Sequence, residues 1–182
     1  MKINKLFFVW NSEKEEKWLN EMSLKGWKLI SAKLFRYDFI EEAYDGYIYR
    51  VEILRKSPKH RESYEYIQFV EETGVECIGC NGLKVYFRKK AEDGEFDLFS
   101  DINSRIKYLK RIIIPIGVIS LICVAVGLVN IIVFSQIFSS DPRYLNFIVG
   151  IMDVSVVLLI QKGLFALILK KRDLEKERIL HE

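Results

Sequence analysis

Apolar residues recur along the chain with three different rhythms, and each rhythm predicts an element. The run "KLFFVW" (5–10) holds five consecutive large apolar residues, short enough for a strand buried on both faces. Ser12 and Glu15 then have the S-x-x-E form of a capping box, which predicts a helix start. Trp18, Leu19 and Met22 make that helix's apolar stripe, and Gly26 supplies the left-handed position that ends it. From Trp27 the period becomes two. Trp27, Leu29, Phe35, Tyr37 and Phe39 fall on one face of an extended run, and Ile30, Ala32 and Leu34 on the other. "EEAYDG" turns the chain, and "YIYRVEIL" alternates again as the expected hairpin partner. Pro58 leads into "HRESYEYIQFVEETG", a predicted helix with Tyr64, Ile67 and Val70 inward and Gly74 at its stop. "VECIGCNGLKVYFRK" predicts a last hairpin, with Asn81-Gly82 suited to a type I′ turn. The order β-α-β-β-α-β, with one extra terminal strand, places residues 1–97 in the α+β class. A ferredoxin-like arrangement is expected: one antiparallel sheet with two helices on one face.

The third rhythm is continuous. Residues 112–129, "IIIPIGVISLICVAVGLV", contain no charge, and apolar residues continue through Phe134. As a helix, 112–134 covers about 34 Å, against about 30 Å of bilayer hydrocarbon. Residues 147–169, "FIVGIMDVSVVLLIQKGLFALIL", form a second apolar run, interrupted by Asp153 and Lys162. Lys162 lies eight residues before Lys170, about 12 Å from that end, within reach of a snorkelling side chain. The expected layout is a connecting amphipathic helix at 98–111, capped by Ser100, and spans at 112–138 and 147–169. A short outer loop at 139–146 and a charged tail at 170–182 complete it.

Charge orients this hairpin. Arg105, Lys107, Lys110 and Arg111 precede the first span, and Lys170, Lys171, Arg172, Lys176 and Arg178 follow the second; the loop offers only Arg143. The bias toward basic residues on the cytoplasmic side predicts a two-span cell-membrane protein with both termini in the cytoplasm. Residues 1–101 carry 17 Lys/Arg against 19 Asp/Glu, a net of −2, so the whole-chain charge of +3 resides in the membrane half. A domain seeking phosphate backbones has the opposite distribution, and nucleic acid is not expected as a partner. Cys77, Cys80 and Cys123 offer no disulfide framework, and "LFFVW", too short for the apolar core of a leader and followed at once by charge, is not expected to act as one.

"FFVWNSEKEEKWLNEMSLKGWKL", "FRYDF", "YIYRVE", "YIQFVEETGVE" and "VYFRKKAEDGEFDLFSD" closely resemble the bacterial domain-of-unknown-function family 2812 over about residues 4–105. The resemblance implies C-terminal membrane helices. Members are often encoded beside PadR-type regulators in Gram-positive bacteria, which implies a regulatory setting. It implies no catalytic residues.

The residues themselves offer little chemistry. Cys77-x-x-Cys80 lacks further ligands for zinc, and on a strand positions i and i+3 point to opposite faces, so neither metal nor cofactor is expected. Glu13, Glu15, Glu16 and Glu21 read as the solvated face of a capped helix, with no nucleophile or histidine to join them. Phe35, Tyr37, Phe39, Tyr47 and Tyr49 are the candidate partner-binding residues, on a sheet face that helices leave uncovered. Asp153 and Lys162 are the intramembrane polar residues, and Asp153 is expected to face another protein's helix or a water-exposed hairpin interior. The expected function is a non-enzymatic, membrane-tethered sensory or regulatory module, in contact with the bilayer and with a cytoplasmic protein, a ligand or a second copy. An accessory subunit of a transporter or other membrane complex is the alternative.

Overall fold

The computed structural model describes residues 1–42, 46–99, 101–136 and 144–181. The chain divides into two units, Met1–Ser100 and Asp101–Glu182.

In the first unit, a short strand β1 (Lys2–Asn4) precedes helix α1 (Ser12–Leu24). The apolar run expected as the first strand instead lies after β1, and its end, Val9–Asn11, is a 3₁₀ turn. Gly26, at φ 80°, stops α1 as expected, and its amide donates to the Ser23 carbonyl. The long extended run then breaks. Strand β2 (Trp27–Ala32) and strand β3 (Arg36–Glu41) fold on each other through a turn at 33–35. Strand β4 (Tyr47–Ile53), helix α2 (Arg61–Glu72), strand β5 (Glu76–Asn81) and strand β6 (Lys84–Lys90) complete the unit.

Two three-stranded antiparallel sheets result, ordered β1-β3-β2 and β4-β6-β5, where a single ferredoxin-like sheet was expected. The hairpin expected between the 27–39 run and β4 does not form, because β3 pairs with β1 and β2 while β4 pairs with β6. Part of the "EEAYDG" turn lies outside the described residues. The last hairpin is present, but its two-residue loop is Gly82-Leu83. Only Gly82 has positive φ, 62°, as a type II′ turn requires and a type I′ turn does not. In α2, Ile67 and Val70 are buried as expected, but Tyr64 is exposed. His60 caps that helix, its Nδ1 accepting from the Glu62 amide at 3.3 Å.

Polar groups join the layers. On β4 the amides of Tyr47, Tyr49 and Val51 donate to the Ser23 hydroxyl (2.6 Å), the Asn20 side-chain oxygen (2.7 Å) and a Glu16 carboxylate oxygen (2.9 Å). Asn20 also donates to the Tyr49 carbonyl at 3.3 Å. Alternate residues of a strand repeat every 6.6–6.8 Å or so, and helix positions three or four apart advance about 4.5–6 Å. One face of α1 therefore follows the open edge of β4 and supplies the hydrogen bonds a neighbouring strand would give. The two sheets are joined at Leu29, beside a β-bulge in β2. Its amide donates to the Tyr49 hydroxyl (3.0 Å), and its carbonyl accepts from Arg88 Nη1 (2.7 Å). Tyr49 and Arg88 are themselves opposite each other across β4 and β6.

In the second unit, α3 runs unbroken from Ile102 to Gln136 with Pro115 inside it, so the expected connecting helix and first span are one element. Asp101 accepts from the Ser104 amide at its start; that bond holds the Asp101 carboxyl below its usual range. Ser100 and most of the expected outer loop lie outside the described residues. Helix α4 runs from Tyr144 to His181 and absorbs the expected charged tail. Both helices are long and apolar enough to cross a membrane, over Ile102–Asn130 and Ile148–Leu180. They run antiparallel: Asn103 meets Arg178, Ser120 meets Gln161, and Asn130 meets Asp153. Small buried residues, Ser120 and Gly127 on α3 with Gly150 and Gly163 on α4, let the backbones approach.

The edge-capping role of Asn20 is testable. Asn20→Ala leaves the Tyr49 amide without its acceptor, while the Tyr49 carbonyl keeps Arg50 Nη1 at 3.0 Å, and should destabilise the first unit by about 1–3 kcal/mol. Trp10, Trp18 and Trp27 all lie in that unit, so tryptophan emission during denaturant unfolding of the full chain in detergent reports it selectively. Asn20→Asp, which keeps the acceptor and loses the donor, should fall between the parent and the alanine variant.

Candidate functional site

Of the four glutamates expected on the solvated face of α1, Glu13 and Glu21 are exposed, whereas Glu15 and Glu16 turn inward. Glu15 has no exposed surface. Its Oε1 accepts from the hydroxyls of Tyr37 (2.5 Å) and Tyr86 (2.7 Å), and its Oε2 from Lys84 Nζ (2.5 Å). Lys84 donates as well to the Phe7 carbonyl at 3.0 Å. One carboxylate thus gathers α1, β3, β6 and the segment before α1. Glu15 does not form the capping box, and the N-cap position, Asn11, makes no side-chain bond to the helix. Burial, together with the adjacent carboxylate, pushes both phenols well above their ordinary range, so they stay neutral and donate to it. With Tyr37 and Tyr86 each 1% exposed, the cluster has no open face for a substrate. It is a lock within the fold.

Glu16, one residue on, is half-buried and also departs from the solvated reading. Burial raises its carboxyl from about 4.5 to about 7, opposed by the Val51 amide it accepts from and by Arg50, and reinforced by Asp97 and Glu15.

Of the five aromatic residues expected to form a binding face, Tyr37, Phe39 and Tyr49 are core residues. The reason is that α1 and the second sheet cover the face that one open sheet would have presented. Trp18 stands edge-on to Tyr37 (5.0 Å) and to Phe39 (5.7 Å). Tyr47 is half-buried, with Lys28 5.0 Å and the Arg88 guanidinium 5.1 Å from its ring centre. Phe35 alone of the five is exposed, in the β2–β3 turn.

The cysteine pair is placed differently from expectation as well. In β5, Cys77 lies opposite Phe87, Gly79 opposite Tyr86 and Cys80 opposite Val85, so Ile78 is the extra residue of a bulge. That residue brings Cys77 and Cys80 to the same face of the strand rather than to opposite faces. Burial raises the Cys77 thiol to about 12 and the Cys80 thiol above its usual value, disfavouring the thiolate that metal binding and redox exchange need. Among the described residues, no group of three or more His, Cys, Asp or Glu side chains is placed to hold a metal ion.

In the helical pair, Asp153 faces the seam between its own two helices. It accepts from Asn130 Nδ2 at 3.4 Å, and its Cβ lies 3.6 Å from where a side chain on Gly127 would begin. Gln161 donates to the buried Ser120 hydroxyl at 2.9 Å, and Lys162 is exposed.

An α+β unit of two stitched sheets, followed by two antiparallel apolar helices each able to cross a membrane, defines the class. The chain belongs to a family described as protein of unknown function (DUF2812), whose model matches residues 11–122, from just before α1 into α3. No curated protein and no solved structure matches the chain.

Two outcomes test these assignments. Glu15→Ala and Lys84→Met should each destabilise the first unit by about 3–5 kcal/mol. The double variant should cost clearly less than the two combined, because neither partner is left buried alone. Simple additivity in denaturant unfolding would contradict the pairing. Glu16 carries the opposite pH signature. Between about pH 4.5 and pH 7 the folded chain keeps a proton that the unfolded chain has released, so stability falls as pH rises through that window. Glu16→Gln keeps an acceptor for Val51 and should match the parent near pH 4. Near pH 8 it should exceed the parent by about 1–3 kcal/mol.

Proposed function

We propose that the chain is a two-span membrane protein with both termini in the cytoplasm, and that its first unit is a non-enzymatic regulatory module. That module binds a cytoplasmic protein or small ligand, and α3 carries the resulting strain or displacement into the bilayer. The observation behind this reading is the continuity of α3. Its basic first turns, with Arg105, Lys107, Lys110 and Arg111, run without interruption into the apolar stretch beyond Ile112. A helix is stiff along its axis, so a movement imposed at one end is felt at the other rather than absorbed in a linker. The nine basic residues flanking the helical pair, against Arg143 in the connection, support the orientation. The accessory-subunit alternative drew on Asp153 as a docking residue, and Asp153 has Asn130 within its own hairpin.

Cysteine labelling tests the topology. In a background with Cys77, Cys80 and Cys123 replaced by Ser, an impermeant maleimide should label Ser140→Cys in intact cells. It should label Lys59→Cys only after permeabilisation. The reverse pattern rejects the orientation, and labelling of both in intact cells rejects the two-span arrangement. For coupling, hydrogen exchange in the first unit should respond to bilayer thickness in the parent. It should not respond in a variant with Gly-Gly-Ser inserted after Asn103; equal responses reject coupling through α3.

A further inference from the structure

The turn between β2 and β3 presents two adjacent exposed apolar residues, Leu34 at 59% and Phe35 at 55%. Backbone hydrogen bonds hold the chain around them. The Lys5 amide donates to the Phe35 carbonyl at 3.0 Å, and the Lys33 amide to the Arg36 carbonyl at 2.8 Å. The first bond brings Lys5, with exposed Leu6 beside it, against the turn. Pairing of β1 with β3 sets Lys2 opposite Asp38. Asp38 is an acid of this corner. Arg36 holds its carboxyl below the usual range, and Lys2 and Lys33 act on it in the same direction. Arg36 is paired with Asp38, and the Lys5 ammonium lies over the Phe7 and Trp18 rings at 5.0 and 4.5 Å. Lys2 and Lys33 therefore carry the corner's positive excess, in a half of the chain whose net charge is −2.

An apolar tip flanked by lysines is complementary to one kind of surface: apolar a few ångströms down and anionic on top. We propose that the corner formed by Lys2, Lys5, Lys33, Leu34, Phe35 and Arg36 docks on the anionic headgroups of the bilayer, with Leu34 and Phe35 entering the interface. This rests on the two-span reading above, because the spans hold the first unit beside the membrane and make the second contact effectively intramolecular. A protein with an acidic, apolar patch is the competing occupant. The bilayer is favoured because the chain itself brings it within reach.

The test uses the full chain carrying Leu34→Trp in nanodiscs of phosphatidylcholine alone or mixed with phosphatidylglycerol, each with or without bromine-labelled acyl chains. Quenching beyond that of the parent, which reports Trp10, Trp18 and Trp27, measures insertion of residue 34. Extra quenching is expected in the anionic discs and should fade with added salt. Docking should weaken about fivefold for each lysine removed in Lys2→Ala and Lys33→Ala. Alkaline carbonate extraction of native membranes separates the two readings. If the protein resists extraction but residue 34 is not quenched, the corner does not dock, and the two-span reading stands. Equal quenching in neutral and anionic discs overturns the anionic assignment. Release by carbonate overturns the two-span reading and this inference with it.

Discussion

A carboxylate with no exposed surface has to be matched where it sits, and Glu15 is matched by groups from both sheets at once. Tyr37 comes from β3, Tyr86 and Lys84 from β6, and Lys84 reaches on to the backbone at Phe7. Desolvating an ammonium and a carboxylate costs several kcal/mol for each ion, recovered only where the geometry satisfies both. Helix α1 therefore has one acceptable depth and rotation between the sheets. Apolar packing by Leu19 and Met22 would tolerate a slide of the helix by part of a turn; the ionic cluster does not. Polar specificity of this kind has a particular use here, because the unit has two small sheets instead of one broad one and needs a device to hold them in register.

The same helix completes that register from a second direction. With Glu15 fixed, Glu16, Asn20 and Ser23 fall along the edge of β4 and bond alternate residues of it. An edge strand left open is a template for unwanted pairing with other chains, and α1 closes this one with side chains rather than with another strand. Tyr49, held on its backbone by Asn20, turns its hydroxyl to Leu29 of the other sheet, where Arg88 takes the carbonyl. Displacing Glu15 would therefore loosen the α1–β4 bonds and, through Tyr49, the junction at Leu29.

This chain of dependence explains what could be read from the sequence. Local signals were legible: Gly26 ending α1, Ile67 and Val70 facing inward from α2, the two apolar helices, the α+β class and the family resemblance. The errors share one cause. Periodicity treats every Glu and Asn as a residue for solvent, so the inward polar face of α1 was invisible, and Glu15 looked like half of a capping box. Sheet partners are chosen over long sequence separations, so β4 could not be assigned to β6 rather than to β3. Bulges at Ile30 and Ile78 shift the alternation on which facing arguments depend, which is how Cys77 and Cys80 were assigned to opposite faces. A signal for Glu15 did exist: a lone Lys84 inside the otherwise apolar strand stretch "LKVYF" had to find an anion.

Charge distribution gives the proposed docking its direction. A unit with a net charge of −2 is repelled as a whole by an anionic leaflet, so a weak uniform attraction could not orient it. The basic corner is different because of distance. Screening at physiological ionic strength reduces interactions beyond about 8 Å. Acidic residues on the far side of the unit therefore contribute little once Lys2 and Lys33 are at the surface. The closer the corner approaches, the more the balance favours attraction, and Leu34 and Phe35 add a short-range gain that exists only at contact. Orientation follows from the pairing of these two ranges: electrostatics selects the corner, and apolar burial holds it.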